Sequence, residues 1–179
     1  AIDPKTGKAK DKRFSLDFDA MEIIAFGFEG ETQQALADWF ALLRRGIRVT
    51  ATGNSDSHTV YGRENGWPRN LICSDEDLPY RVEIKSLMES LRQGCTTISA
   101  GPVITIKTDD ARMGGITKAT NGSAKVAIKI QAPTWIPVDW LDVYVDGRKQ
   151  KRIPIRNKQV LRYEETHTIK CNKDCFVVA

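Results

Sequence analysis

Histidine is scarce here: of 179 residues, only His58 and His167 carry an imidazole. A metal centre built mainly from histidine is therefore beyond what this chain holds by itself. Long hydrophobic runs are missing too, and none approaches the roughly 20 apolar residues of a membrane-spanning helix. There is no large excess of one charge; the formal net charge is +4. The basic residues are scattered apart from Lys5 to Arg13 and Arg148 to Arg156, so a nucleic-acid partner has no strong electrostatic footprint. Internal repeats and low-complexity segments are absent. The chain lacks an initiator methionine and a charged-then-apolar leader. It opens on Ala1-Ile2-Asp3-Pro4 and stops on the apolar Phe176-Val177-Val178-Ala179, so truncation at both ends is the expectation.

What remains is ordinary globular material. Hydrophobic residues make up 41% and charged residues 28%, which suits a folded protein, and the length allows one full domain or two small ones. Residues 1–13 are polar and Lys-rich and read as a loop or extended arm. Asp19 to Phe26 is a short apolar run with Glu22 embedded in it, which predicts a buried strand, and Gly27 to Glu31 predicts a turn. Thr32 to Arg45 is the clearest helix. Leu36, Trp39, Phe40 and Leu43 recur at helical spacing, and Gly46 is a suitable terminator. Ile47 to Thr52 predicts a strand, so strand–helix–strand forms a βαβ unit with a parallel sheet. Residues 59–70 read as a long loop and Leu71 to Ser74 as a short strand. Glu83 to Gln93 reads as a second helix with Ile84, Leu87, Met88 and Leu91 on one face.

After Gly101-Pro102 the texture changes. Val103 to Lys107 alternates, and Ala124, Val126, Ile128, Ile130 and Ala132 alternate with polar partners. Trp140 to Val145, Arg152 to Ile155, Val160 to Ile169 and Asp174 to Val178 are further strands, with Asp146-Gly147 a hairpin turn of type I′. Short strands with polar turns predict a β-sandwich. The fold class is thus α/β plus all-β, divided into residues 1–101 and 102–179.

Chemistry concentrates at Gly53-Asn54-Ser55-Asp56-Ser57-His58, which follows a predicted parallel strand, where α/β folds gather functional groups. In extended backbone, Asp56 and His58 would face one side, roughly 6–7 Å apart. Oxygen and nitrogen donors suit zinc, manganese or iron better than calcium. The competing reading is a solvated turn. A catalytic metal needs more than two ligands; Asp19, Glu22 and Glu64 are the carboxylates at hand, with Glu22 foremost. A strand-end salt bridge with an Arg is the alternative for Glu22. Arg69 has the fork that clamps an anionic substrate group, or else pairs with Asp75, Glu76 or Asp77. Trp135, Trp140 and Tyr144 make an aromatic face or, for two of the three, core.

The four cysteines divide in two. Cys73 and Cys95 stand in apolar contexts and read as small buried residues. Cys171-Asn172-Lys173-Asp174-Cys175 reads as a strand–turn–strand tip, with a local disulfide if the protein is exported. His167, Cys171 and Cys175 are evenly spaced, but four residues of strand span about 13 Å, too far for one zinc.

An ordered set of motifs resembles a known family: Asp17-Phe18-Asp19-Ala20-Met21-Glu22-Ile23, Asp38 to Gly46, Thr50 to His58, Pro68-Arg69-Asn70, Leu91-Arg92-Gln93-Gly94 and Ser99-Ala100-Gly101-Pro102. Together they look like the C-terminal part of PHP-type metallohydrolases (polymerase and histidinol phosphatase superfamily), in the branch similar to carbaryl hydrolase. The resemblance spans roughly residues 14–105. It implies part of a distorted β/α barrel followed by an immunoglobulin-like β-sandwich, and a di- or trinuclear metal centre whose activated water attacks phosphate, carboxylic or carbamate esters. It makes Asp56 and His58 metal ligands, with Glu22 a further candidate and Arg69 a substrate contact. The family's opening His-x-His pair and its middle His and Glu ligands have no counterpart here. This chain would therefore hold an incomplete site, inactive in isolation. Its partners would be the N-terminal remainder of the barrel, a small-molecule ester, and a second copy through exposed strand edges. No nucleic acid and no membrane span are implied, and a periplasmic or secreted location is favoured. The alternative is a non-catalytic binding module with a ligand-binding β-sandwich.

Overall fold

Two glycines set where the helices end. The computed structural model describes residues 2–25, 29–61 and 65–179. Helix α1 (Glu29–Arg44) stops where Gly46 takes a φ of +76°. There Gly46 N–H donates to Leu43 O and Ile47 N–H to Leu42 O. Helix α2 (Ile84–Arg92) repeats the device at Gly94, with Gly94 N–H donating to Leu91 O and Cys95 N–H to Ser90 O. These paired bonds satisfy carbonyls that the helix leaves over, and the left-handed residue they need is cheapest as glycine.

The chain divides into two compact units, Ala1–Ala100 and Gly101–Ala179. The first is mixed α/β. Strands β1 (Ala20–Ala25) and β2 (Thr50–Asn54) pair in parallel with α1 between them in sequence, as a βαβ unit requires. Strands β3 (Arg69–Ile72) and β4 (Thr96–Ser99) form a separate antiparallel pair. No closed barrel is present among the described residues. Several boundaries differ from expectation. Glu29, Glu31 and the residue between them begin α1 rather than complete a turn; residues 26–28, part of that strand and turn, lie outside the described residues. β2 starts at Thr50 rather than Ile47 and runs on through Gly53 and Asn54. β4 was not foreseen, because Thr-Thr-Ile-Ser has no clear alternation.

Burial in the first unit also departs from the simple helical stripe. The most buried α1 residues are Ala41 and Leu42, which cluster with Val49 and with Ile2. The N-terminal segment is therefore no free arm. Ile2 is 1% exposed, its N–H reaches Asp38 Oδ2 at 3.4 Å, and Arg44 and Arg45 donate to the carbonyls of Pro4 and Gly7. Buried Asp38 accepts from Gln34 Nε2 one turn earlier at 2.8 Å. In α2 the expected apolar face is only half used: Leu87 and Leu91 are half-buried, while Ile84 is 78% exposed and Met88 also faces solvent.

The second unit is β-rich. One antiparallel sheet orders β5 (Val103–Lys107), β6 (Ser123–Gln131) and β9 (Leu161–Lys170) as β5-β6-β9. The other orders β10 (Val177–Val178), β7 (Trp140–Val145) and β8 (Arg148–Pro154) as β10-β7-β8. One core serves both sheets: Val126, Ile128, Ile130 and Ile169 pack with Leu141, Val143 and Ile155. Alternation along β6 and β7 produces this, since successive side chains point to opposite faces. The β7–β8 hairpin turns on Asp146 (φ +52°) and Gly147 (φ +72°), both left-handed as a type I′ turn demands.

Candidate functional site

The carboxyl end of β2 is shaped by a shortage of space. A Cβ at Gly53 would collide with Ile98 Cγ2 on β4 and lie 3.3 Å from Ile24 O on β1. Glycine lets three strands approach there. The register with β1 slips between Glu22 and Ile24, so that Ile24 faces Gly53 and Ala25 faces Asn54.

A chain of hydrogen bonds crosses this end. Gly53 N–H donates to Asn70 Oδ1 at 2.9 Å, Asn70 Nδ2 to Asn54 Oδ1 at 3.1 Å, and Asn54 Nδ2 to Glu22 Oε1 at 2.8 Å. Three strands, β3, β2 and β1, are thereby tied at one edge. Glu22 is thus partnered by an amide, and no Arg among the described residues pairs with it. Asn54 and Asn70 carry this edge, and nothing in the sequence singled them out. The bonding depends on a three-strand register that sequence spacing does not give.

Beyond Asn54 the chain turns sharply. Asp56 has a φ of +48°, a left-handed conformation that Asp tolerates better than most residues. The expected extended geometry is therefore wrong in mechanism. Even so, the turn brings the two side chains together, with Asp56 Oδ1 and His58 Nε2 at 2.6 Å. The side chains are 37% and 71% exposed, so the pair adds little to stability. What it offers is chemistry: an oxygen and a nitrogen donor, close together and open to solvent.

The other candidates are placed differently. Among the described residues no three His, Cys, Asp or Glu side chains converge as a metal site. Glu64 lies outside the described residues. Asp19 pairs with Arg92, Nε to Oδ2 at 3.1 Å. Arg69 is exposed and donates from Nη1 to Gly66 O at 3.0 Å. No carboxylate among the described residues holds it. Asn70, the next residue on β3, turns its side chain towards β2.

In the second unit, His167 stacks on Tyr163 with ring centroids 6.0 Å apart. The Tyr163 hydroxyl donates to Glu165 Oε2 at 2.9 Å and meets His167 Nε2 at 2.8 Å, so His167 is engaged away from the cysteines. Burial, reinforced by Glu165, pushes the Tyr163 phenol well above its ordinary range. Trp135 is 79% and Trp140 58% exposed, so the expected core packing of two of the three aromatics is overturned. Arg152 lies over the Trp140 ring and Lys149 over that of Tyr144.

The cysteines reverse the expectation. Cys73 and Cys95 form a disulfide. Cys73 follows β3, Cys95 precedes β4, and Cys73 N–H donates to Cys95 O. Seeing the pair required seeing β4. Cys171 and Cys175 are free thiols.

Compared with known proteins, the chain matches no family model, no curated protein and no solved structure.

Proposed function

We propose that this chain is the C-terminal portion of a metal-dependent hydrolase of the PHP type, with residues 1–101 part of a distorted β/α barrel and 102–179 an immunoglobulin-like β-sandwich. The observation that carries the reading is the Asp56–His58 pair, held at 2.6 Å just past the carboxyl end of a parallel strand. That is where α/β enzymes place their chemistry. The ordered motifs that resemble the family, from Asp17 to Pro102, add to it.

The donor types fit a divalent zinc, manganese or iron ion. Their number does not complete a site, so Asp56 and His58 form one flank and the other ligands come from the N-terminal remainder of the barrel. Glu22, hydrogen-bonded to Asn54 at the end of β2, is the further carboxylate candidate. A bound metal would supply Lewis acidity and lower the pKa of water for attack on a phosphate, carboxylic or carbamate ester. Arg69, on the strand bonded to this edge, would bind an anionic group of the substrate. In the full-length protein, Asp56→Ala and His58→Ala are each expected to abolish ester hydrolysis without unfolding the chain, because the pair is exposed.

A second reading, a non-catalytic binding module, is favoured by the exposed Trp135 and Trp140. The two readings separate on hydrolysis by the full-length protein: a binding module shows none with any added metal.

A further inference from the structure

The end of β9 is where the chain leaves one sheet for the other. Cys171 follows Lys170, the last residue of β9, and Cys175 stands just before β10. β9 belongs to the β5-β6-β9 sheet and β10 to the β10-β7-β8 sheet, so the segment from Cys171 to Cys175 opens the crossover. β10 has a small hold on its sheet. It pairs through Val177 with Val145 and Val178 with Tyr144, helped by Asp146 N–H donating to Phe176 O and Phe176 N–H to Asp146 Oδ1.

The two thiols meet across this crossover. Cys175 S–H donates to Cys171 Sγ at 3.2 Å. Cys171 is fixed at the backbone by its N–H bond to Gly122 O at 2.8 Å and packs against the unit's core. A disulfide bond is about 2.05 Å long, so closure needs an approach of roughly 1 Å, which side-chain rotation within a turn can supply.

We propose that Cys171 and Cys175 are a thiol–disulfide site, oxidised by a small-molecule disulfide, whose closure fastens β10 to the end of β9. The roles of the two sulfurs differ. Cys175 S–H is the donor and Cys171 Sγ the acceptor of the bond between them, and burial, then that hydrogen bond and the Cys171 charge, then Asp146 and Asp174, push the Cys175 thiol up. Cys171 is the sulfur that attacks first. As a thiolate it displaces one thiol from the small disulfide and forms a mixed disulfide. Cys175 then gives its proton to solvent and attacks Cys171 Sγ, expelling the second small thiol. Two electrons and two protons pass from the cysteine pair to the oxidant, which leaves as two thiols.

The test treats the intact chain with oxidised glutathione, blocks remaining thiols with N-ethylmaleimide and maps the peptides. The peptide spanning Cys171 and Cys175 should lose both alkylation sites and retain no glutathione, and amide exchange at Val177 and Val178 should slow relative to the reduced chain. Alkylation of both cysteines after prolonged oxidation would overturn the proposal. So would stable glutathione on Cys171, or closure with unchanged exchange at β10. In Cys175→Ser the glutathione should stay trapped on Cys171; an unmodified Cys171 there would overturn the assigned order of attack.

Discussion

Gly53 shows how much a single residue can fix at the candidate site. Its backbone needs no left-handed conformation; it needs room between Ile24 and Ile98. Gly53→Ala should destabilise the first unit by about 1–3 kcal/mol, the usual cost of forcing extra volume into a packed site, as read by denaturant unfolding. A neutral substitution would mean that β4 does not approach as closely as described. From sequence, Gly53 reads as a turn former, because composition cannot tell a glycine that bends from one that makes space. Asp56 and His58 were legible by type and spacing. Their contact was reached by a left-handed Asp56 rather than by strand pleat. Asn54 and Asn70 were not legible, since an amide that spans strands looks no different from any surface amide until the register is known.

The hairpin and the stapled strand pair carry the predictions that belong to whole elements. On β7, Asp142 accepts from Arg152 Nε and Nη2 at 2.7 Å each, and Lys149 Nζ lies 2.8 Å away. These cations from β8, the Arg152 hydrogen bonds first, hold the Asp142 carboxyl well below the usual carboxylate range. Its folded value is lower than its unfolded one. The stabilisation is therefore complete above the unfolded value of about 4 and lost as pH falls through the folded value. Asp142→Asn should cost about 1 kcal/mol near neutral pH, a modest figure because Arg152 and Lys149 are half open to solvent. The gap between variant and parent should close in strong acid, as followed by thermal unfolding across pH. The Cys73–Cys95 disulfide joins β3 to β4 across a separation of 22 residues. Replacing both cysteines by serine should lower the stability of the first unit by about 3 kcal/mol on the chain-entropy account, and a smaller loss would show that the β3–β4 ladder already restrains the segment. Elements were the scale at which sequence worked best. Helical spacing placed both helices, with Gly46 marking the end of the first, and alternation placed β6 and β7. It failed for β4, whose four residues carry no period, and for the outer face of α2, where Ile84 has the right spacing but no covering partner among the described residues.

For the molecule as a whole, the change from helix-containing α/β to β-rich texture near Gly101 was readable because the two regions obey different hydrophobic periods. The parallel β1–β2 pair and the β7–β8 hairpin were readable too; the pairings of β3 with β4, β6 with β9 and β10 with β7 were not, since they join segments distant in sequence. The functional reading has the same character. The proposed hydrolase reading leads to Asp56 and His58, and the fold brings those two side chains together, with no third His, Cys, Asp or Glu converging on them among the described residues. We propose them as ligands in a larger centre. Metal content of the full-length protein, measured by elemental mass spectrometry on purified parent, Asp56→Ala and His58→Ala, tests this most directly. Loss of bound metal from both variants, with their folded spectra retained, is the predicted result; metal occupancy unchanged in both would contradict it.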